Sequence, residues 1–193
     1  MPVIRFISHP EVVIDPQVPV PEWGLSPRGR ERLAVLLAEP WIGEVNAVWS
    51  SLERKAIETA EPIAAARGLT VRTLHDLHEN DRSATGFLPP DEFERVADQF
   101  FAEPTRSVRG WETARAAQDR IVAAVRRVDA ESPPGEVAIA AHGGVGTLLY
   151  CHLADEPISR AHDQKGAGNV IAFERGTWRL IHGWRPIDSR AKA

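Results

Sequence analysis

Two histidines stand at matched places in this 193-residue chain: His9 in RFISHPEV and His142 in AIAAHGGVG. A neutral imidazole near neutral pH is both a nucleophile and a proton carrier. Each histidine follows a short apolar run, VIRFIS (3–8) or EVAIAA (136–141), and precedes residues that end a strand. Runs rich in Val, Ile, Phe and Ala read as buried parallel strands. Open α/β sheets bind ligands beyond the carboxyl ends of their strands, so the two histidines meet at one site. A buried histidine satisfied by hydrogen bonds is the competing reading for each, and the pairing of the motifs argues against it.

The elements that must position these groups alternate along the chain. After the first strand, residues 9–24 carry Pro10, Pro16, Pro19 and Pro21 and form an extended loop over the strand end. Residues 25–40 read as a helix, with Ser26 as cap, Pro27 in the first helical position and Leu33, Leu36 and Leu37 on one face. EVNAVWS (44–50) is a strand, and 53–68 a helix opened by a Ser50–Glu53 capping box and stopped at Gly68. A strand at 69–74, helices at 90–104 and 111–132, and a glycine-opened helix at 143–155 follow. NVIAFE (169–174) and TWRLIHGW (177–184) close the chain as a sheet-edge pair. This order predicts one domain over 1–193, a three-layer α/β/α sandwich around a mostly parallel mixed sheet.

Composition narrows the function classes. The net charge of -4 offers no basic excess for nucleic acid, and no apolar run approaches the ~18 residues of a membrane span. A lone Cys151 leaves no internal disulfide and fits a reducing compartment, and the first residues lack a signal-peptide pattern, so a cytoplasmic protein is expected. GGVG has neither dinucleotide glycine spacing nor the Lys-Ser/Thr of a P-loop. Trp23 and Trp111 are candidate walls for a ligand pocket.

Four stretches taken in order, RFISHPEV, LSPRGRERL (25–33), WSSLERKAIETA (49–60) and AIAAHGGVG (138–146), resemble the histidine phosphatase superfamily, the phosphoglycerate mutase-like family. LHEN (77–80) and GWET (110–113) add weaker matches. The resemblance implies a phosphoglycerate mutase-like fold and metal-independent chemistry through a phosphohistidine, with no cofactor. It places His9 as the nucleophile on phosphorus, His142 as the second pocket histidine and Glu79 as the proton donor. The expected partner is a small phosphorylated substrate, and the expected reaction is hydrolysis of a phosphomonoester. A catalytically weak phospho-ligand binder and a phosphoglycerate mutase-type phosphotransferase are the alternatives.

The chain departs from the family pattern where phosphate is held. Ser8-His9-Pro10 replaces Arg-His-Gly, so the first phosphate-gripping arginine is absent. The position of the second falls on Lys55, with Arg54 one residue away; one residue turns a helical side chain by about 100°. Losing a charge-assisted phosphate contact costs about 1.5–3 kcal/mol, so another cation is expected to compensate. Ser8, Lys55 and Arg82 form the expected substrate-binding set, with Arg109 as a second compensating cation. Glu112 is read as stabilising a helix start through the dipole. Without an arginine beside it, His9 is expected to titrate near or above about 6.5.

Overall fold

The structure, a computed structural model, describes residues 1–189. Six strands, β1 (Val3–Ser8), β2 (Val45–Ser50), β3 (Val71–Thr73), β4 (Glu136–Ala141), β5 (Asn169–Glu174) and β6 (Leu180–Pro186), form one sheet in the order β3-β2-β4-β1-β5-β6. The first four in that order run parallel; β5 is antiparallel to both of its neighbours. The sheet is therefore mixed, and the last two strands supply its antiparallel part.

Both sheet faces are buried. On one, Phe6, Trp49, Ile139 and Phe173 pack against α3 (Pro90–Ala102), α4 (Ala114–Glu131) and α5 (Gly143–Leu153). On the other, Ile7, Val48, Ala140 and Val170 pack against α1 (Pro27–Leu36) and α2 (Arg54–Ala66). The alternation of Phe6 and Ile7 between the two cores is the period-2 pleat, and it makes three layers. Each fully buried side chain of this size contributes about 1.5–3 kcal/mol. No described helix is long and apolar enough to cross a membrane.

Local chemistry sets the element ends. Ser26 caps α1 by accepting the Gly29 N–H at 3.1 Å, with Pro27 leading the helix. α1 stops at Leu36, and Pro40–Glu44 turns through a 3-10 segment into β2. The expected Ser50–Glu53 capping box does not form. Glu53 itself occupies the cap position without a side-chain cap bond, and the Ser50 hydroxyl donates to the Ser51 carbonyl at 2.8 Å. β6 begins later than expected because Trp178 takes a left-handed conformation in the turn, φ 59°, and its N–H returns to the Glu174 carbonyl.

Register places the chemistry. β1 and β4 align Ser8 opposite Ala141, and the His9 N–H donates to the Ala141 carbonyl at 3.1 Å. The residue that follows each strand is a histidine, so the parallel pairing of two apolar runs delivers both imidazoles to one sheet end.

Candidate active site

The His9 and His142 rings lie edge to face, centroids 5.4 Å apart. His9 Nδ1 is 2.8 Å from the Pro10 carbonyl, which can only accept, so the ring proton sits on Nδ1 and Nε2 keeps its lone pair. Burial pushes the His9 pKa down to about 3, and the neighbouring His142 and Lys55 add to this. The expectation that His9 titrates near or above its reference value is thus wrong: it weighed the missing arginine, whereas desolvation is the larger effect. His142 is fully buried and forms the cap residue of α5, but its side chain makes no cap bond. Its Nε2 meets the Ser51 hydroxyl at 2.8 Å and Glu53 Oε1 at 3.3 Å, while its Nδ1 has no partner among the described residues. Burial again leads in holding its pKa below the usual value.

Glu79 arrives from the segment after β3. Its carboxylate accepts the Gly144 N–H at 3.0 Å and the Val145 N–H at 2.9 Å, at the positive end of α5. A Cβ on Gly144 would stand 2.7 Å from Glu79 Oε1, so glycine there is what admits the carboxylate. Burial works to raise the Glu79 pKa, but Arg82, His142 and the backbone N–H groups together hold it below the ordinary carboxylate value. These contacts favour the ionised form of Glu79.

Lys55 is buried and turned inward, whereas Arg54 is exposed and pairs with Glu58. The two neighbouring side chains thus point apart, as one residue along a helix requires. Lys55 is not unengaged, however: its Nζ donates to the Val20 carbonyl at 2.8 Å and is ion-paired with Glu53. Ser8 is fully buried, and both functions of its hydroxyl are used: it donates to Gln164 Oε1 at 2.5 Å and accepts the Asn169 N–H at 2.9 Å. Its proton is thus committed to Gln164 and one lone pair to Asn169, which leaves a single lone pair to meet a ligand. Arg82 lies over the rings of Phe93 and Trp111, at 5.0 and 5.7 Å, with no hydrogen-bond acceptor for its guanidinium among the described residues. Its charge lowers the pKa of Glu79 and of His142. Arg109 is ion-paired with Glu92 and is not brought to the site.

Several site residues carry little sequence signal. Gln164 is drawn against Gly143, where any Cβ would collide with its amide. Glu112 pairs with Arg120 at 2.7 Å rather than serving only a helix dipole. Arg120 also donates to the Asp76 and His78 carbonyls at 2.9 Å and so clamps the segment that delivers Glu79. Trp111 is a core residue, and Trp23 ties the 15–23 loop through its indole N–H. An open hollow of about 420 Å³ beside Leu52 and Ile57 is walled by Glu22, Glu58 and Glu61 with only Arg54 as cation. None of its wall comes from the histidine pair, and its charge is wrong for phosphate.

The two neutral histidines make stability depend on pH. The unfolded chain takes up protons near 6.5, while the folded pKa values lie lower, so stability is full above that value and is lost as pH falls from about 6.5 toward 3. Each histidine that stays neutral is expected to remove up to about 1.4 kcal/mol per pH unit. Urea denaturation at pH 7.5, 6.5 and 5.5 reads this slope, and His9→Asn is expected to make it shallower. An unchanged slope in that variant would mean His9 is not desolvated.

The model of the histidine phosphatase superfamily (branch 1) matches residues 16–183. The matched stretch begins after His9, so the placement of His9 rests on the geometry above. Among solved structures, a mycobacterial glucosyl-3-phosphoglycerate phosphatase with inorganic phosphate superposes with TM-score 0.80 at 19% identity, covering 97% of this chain and 99% of that one. YhfR from Bacillus stearothermophilus gives TM-score 0.77 at 21% identity, covering 95% of each. A Thermus thermophilus protein, TTHB049, gives 0.64 at 17%, covering 95% of this chain and 99% of the other. These likenesses concern the fold. No curated protein matches the sequence significantly.

Proposed function

Because the chain belongs to the histidine phosphatase superfamily, we propose that it hydrolyses a small phosphomonoester through a phosphohistidine at His9. The observation that carries this reading is the His9 ring: its proton is held on Nδ1 by the Pro10 carbonyl, it is kept neutral by burial, and Nε2 is left with a lone pair beside His142. Such a ring attacks phosphorus without first losing a proton. Proline at position 10 removes a backbone N–H, yet its carbonyl supplies the contact that fixes the nucleophile's tautomer.

The reaction follows in two displacements. His9 Nε2 forms a bond to phosphorus as the ester oxygen leaves with a proton. Water then attacks the phosphohistidine and releases phosphate, restoring the neutral ring. Glu79 begins ionised, and a phosphoryl group beside it raises its proton affinity by like-charge repulsion. It takes a proton from the bound ester, delivers it to the leaving oxygen, then accepts one from water and returns it to the departing phosphate, ending ionised as it began. Arg82, Gln164 Nε2 and the start of α5 are the donors for the equatorial oxygens.

A phospho-ligand binder without turnover is the second reading, favoured by the pairing of Lys55 with Glu53, which consumes a pocket cation. Phosphate release from a panel of phosphomonoesters, followed beside calorimetric phosphate binding, separates the two. Turnover supports the enzyme. Binding without turnover of any ester in the panel overturns it in favour of the binder.

A further inference from the structure

We propose that Glu53 is a built-in counter-charge that makes this pocket select a singly charged, proton-bearing phosphoryl group over a dianion. The inference deepens the phosphatase reading and rests on it for the catalytic step, while its binding consequence stands separately. Glu53 touches Lys55, His142 and the backbone of Glu79 at once. Its Oε2 takes the Lys55 ammonium; its Oε1 accepts the Glu79 N–H at 3.1 Å and lies 3.3 Å from His142 Nε2. Burial opposes its ionisation, but His142, Lys55 and the Glu79 N–H overcome this and hold its pKa at about 2.

Two consequences follow. The first is charge. The charged groups that act on the histidine pair are Glu53 and Lys55 at the start of α2 and Glu79 and Arg82 after β3, while Asp163 in the loop before β5 acts on Glu79. With both histidines neutral, the two cations are matched by Glu53 and Glu79, and Asp163 adds no positive charge. A dianion would enter a pocket with no net positive charge to receive it. A monoanion carries half that burden.

The second is the tautomer of His142. Nε2 stands 2.8 Å from the Ser51 hydroxyl and 3.3 Å from the Glu53 carboxylate; a lone pair there would face the carboxylate, so we place the proton on Nε2, with Ser51 accepting it, and the lone pair on Nδ1. That Nδ1 is buried and has no donor among the described residues. A buried acceptor without a partner is costly, and a ligand that completes it must bring a proton. A P–OH group does so; a fully ionised phosphate sets lone pair against lone pair. In turnover the accounts balance without an outside acid. His9 Nε2 bonds to phosphorus, the P–O bond to the alcohol breaks, and the proton carried in on P–OH leaves on the alcohol oxygen by way of Glu79.

The test compares inorganic phosphate with sulfate, a dianion that carries no proton at these pH values, by titration calorimetry. At pH 6 the wild-type protein is expected to bind phosphate at least about tenfold more tightly than sulfate, one donated hydrogen bond to a buried partner being of that size. Phosphate affinity is expected to fall as pH rises from 6 to 8. Glu53→Gln, which frees Lys55 and keeps the side-chain shape, is expected to narrow the phosphate–sulfate gap and to tighten binding at pH 8 about tenfold. Equal wild-type affinity for the two ions, no measurable phosphate binding, or phosphate affinity that rises with pH overturns the proposal, whether or not the variant folds. An unchanged pH slope in a folded Glu53→Gln protein overturns the role of Glu53. Phosphate selectivity without turnover of esters would remove the phosphatase reading and leave this inference standing; turnover without selectivity would do the reverse.

Discussion

His9→Ala is expected to reduce hydrolysis of phosphomonoesters by at least about 10³-fold, since the bond-forming atom is removed and no neighbour can replace it. His142 is the nearest imidazole, but its Nε2 is engaged by Ser51 and Glu53 and its Nδ1 is buried. The fold should survive. Among the described residues the His9 side chain hydrogen-bonds only to the adjacent Pro10 carbonyl, and the strand pairing runs through its backbone N–H and carbonyl, which alanine keeps. Circular dichroism and a denaturant titration near pH 7.5 would show an intact protein; steady-state turnover would show the loss. Wild-type kcat/KM in a folded His9→Ala protein would exclude covalent catalysis at this residue.

Glu79→Gln is expected to lower kcat about 10²–10⁴-fold on alkyl phosphates, whose leaving oxygen needs a proton. An aryl phosphate with an activated leaving group should be affected much less in the first displacement, and this difference separates proton delivery from general damage. The variant also loses a charge that sits on the first turn of α5. The carboxylate holds the Gly144 and Val145 N–H groups, and bonds to a charged acceptor are worth about 1.5–3 kcal/mol. A stability decrease of that order is therefore expected beside the kinetic one. If alkyl and aryl phosphates lost rate equally, Glu79 would be a positioning residue for α5 and no proton carrier.

The sequence made the scaffold legible where one physical rule dominated. VIRFIS and EVAIAA are apolar on both faces because two cores cover them, and each ends at a histidine. Ser26-Pro27 announces α1 because an accepting hydroxyl and a residue without N–H suit the same place. The inward turn of Lys55 and outward turn of Arg54 followed from the register of the family resemblance together with the 100° step of a helix. The rest depended on approach through space. Glu53 read as a capping partner of Ser50, because nothing in the chain says that Lys55, His142 and the Glu79 N–H all converge on it. Gln164 lies far along the chain and reaches the site only because Gly143 lacks a Cβ. The chain gives no sign that the 164–169 segment takes up the Ser8 proton and one of its lone pairs. The His9 titration was misjudged because charge is visible in a sequence and burial is not.

The most direct test of the account is to mix the protein with a phosphomonoester, quench in alkali where phosphohistidine survives, and map the modified peptide by mass spectrometry. The account predicts one phosphoryl group, on His9, attached at Nε2, and absent from the His9→Ala protein. A turning-over enzyme that yields no phosphorylated intermediate under rapid quench, or one that carries the group on another residue, would contradict it.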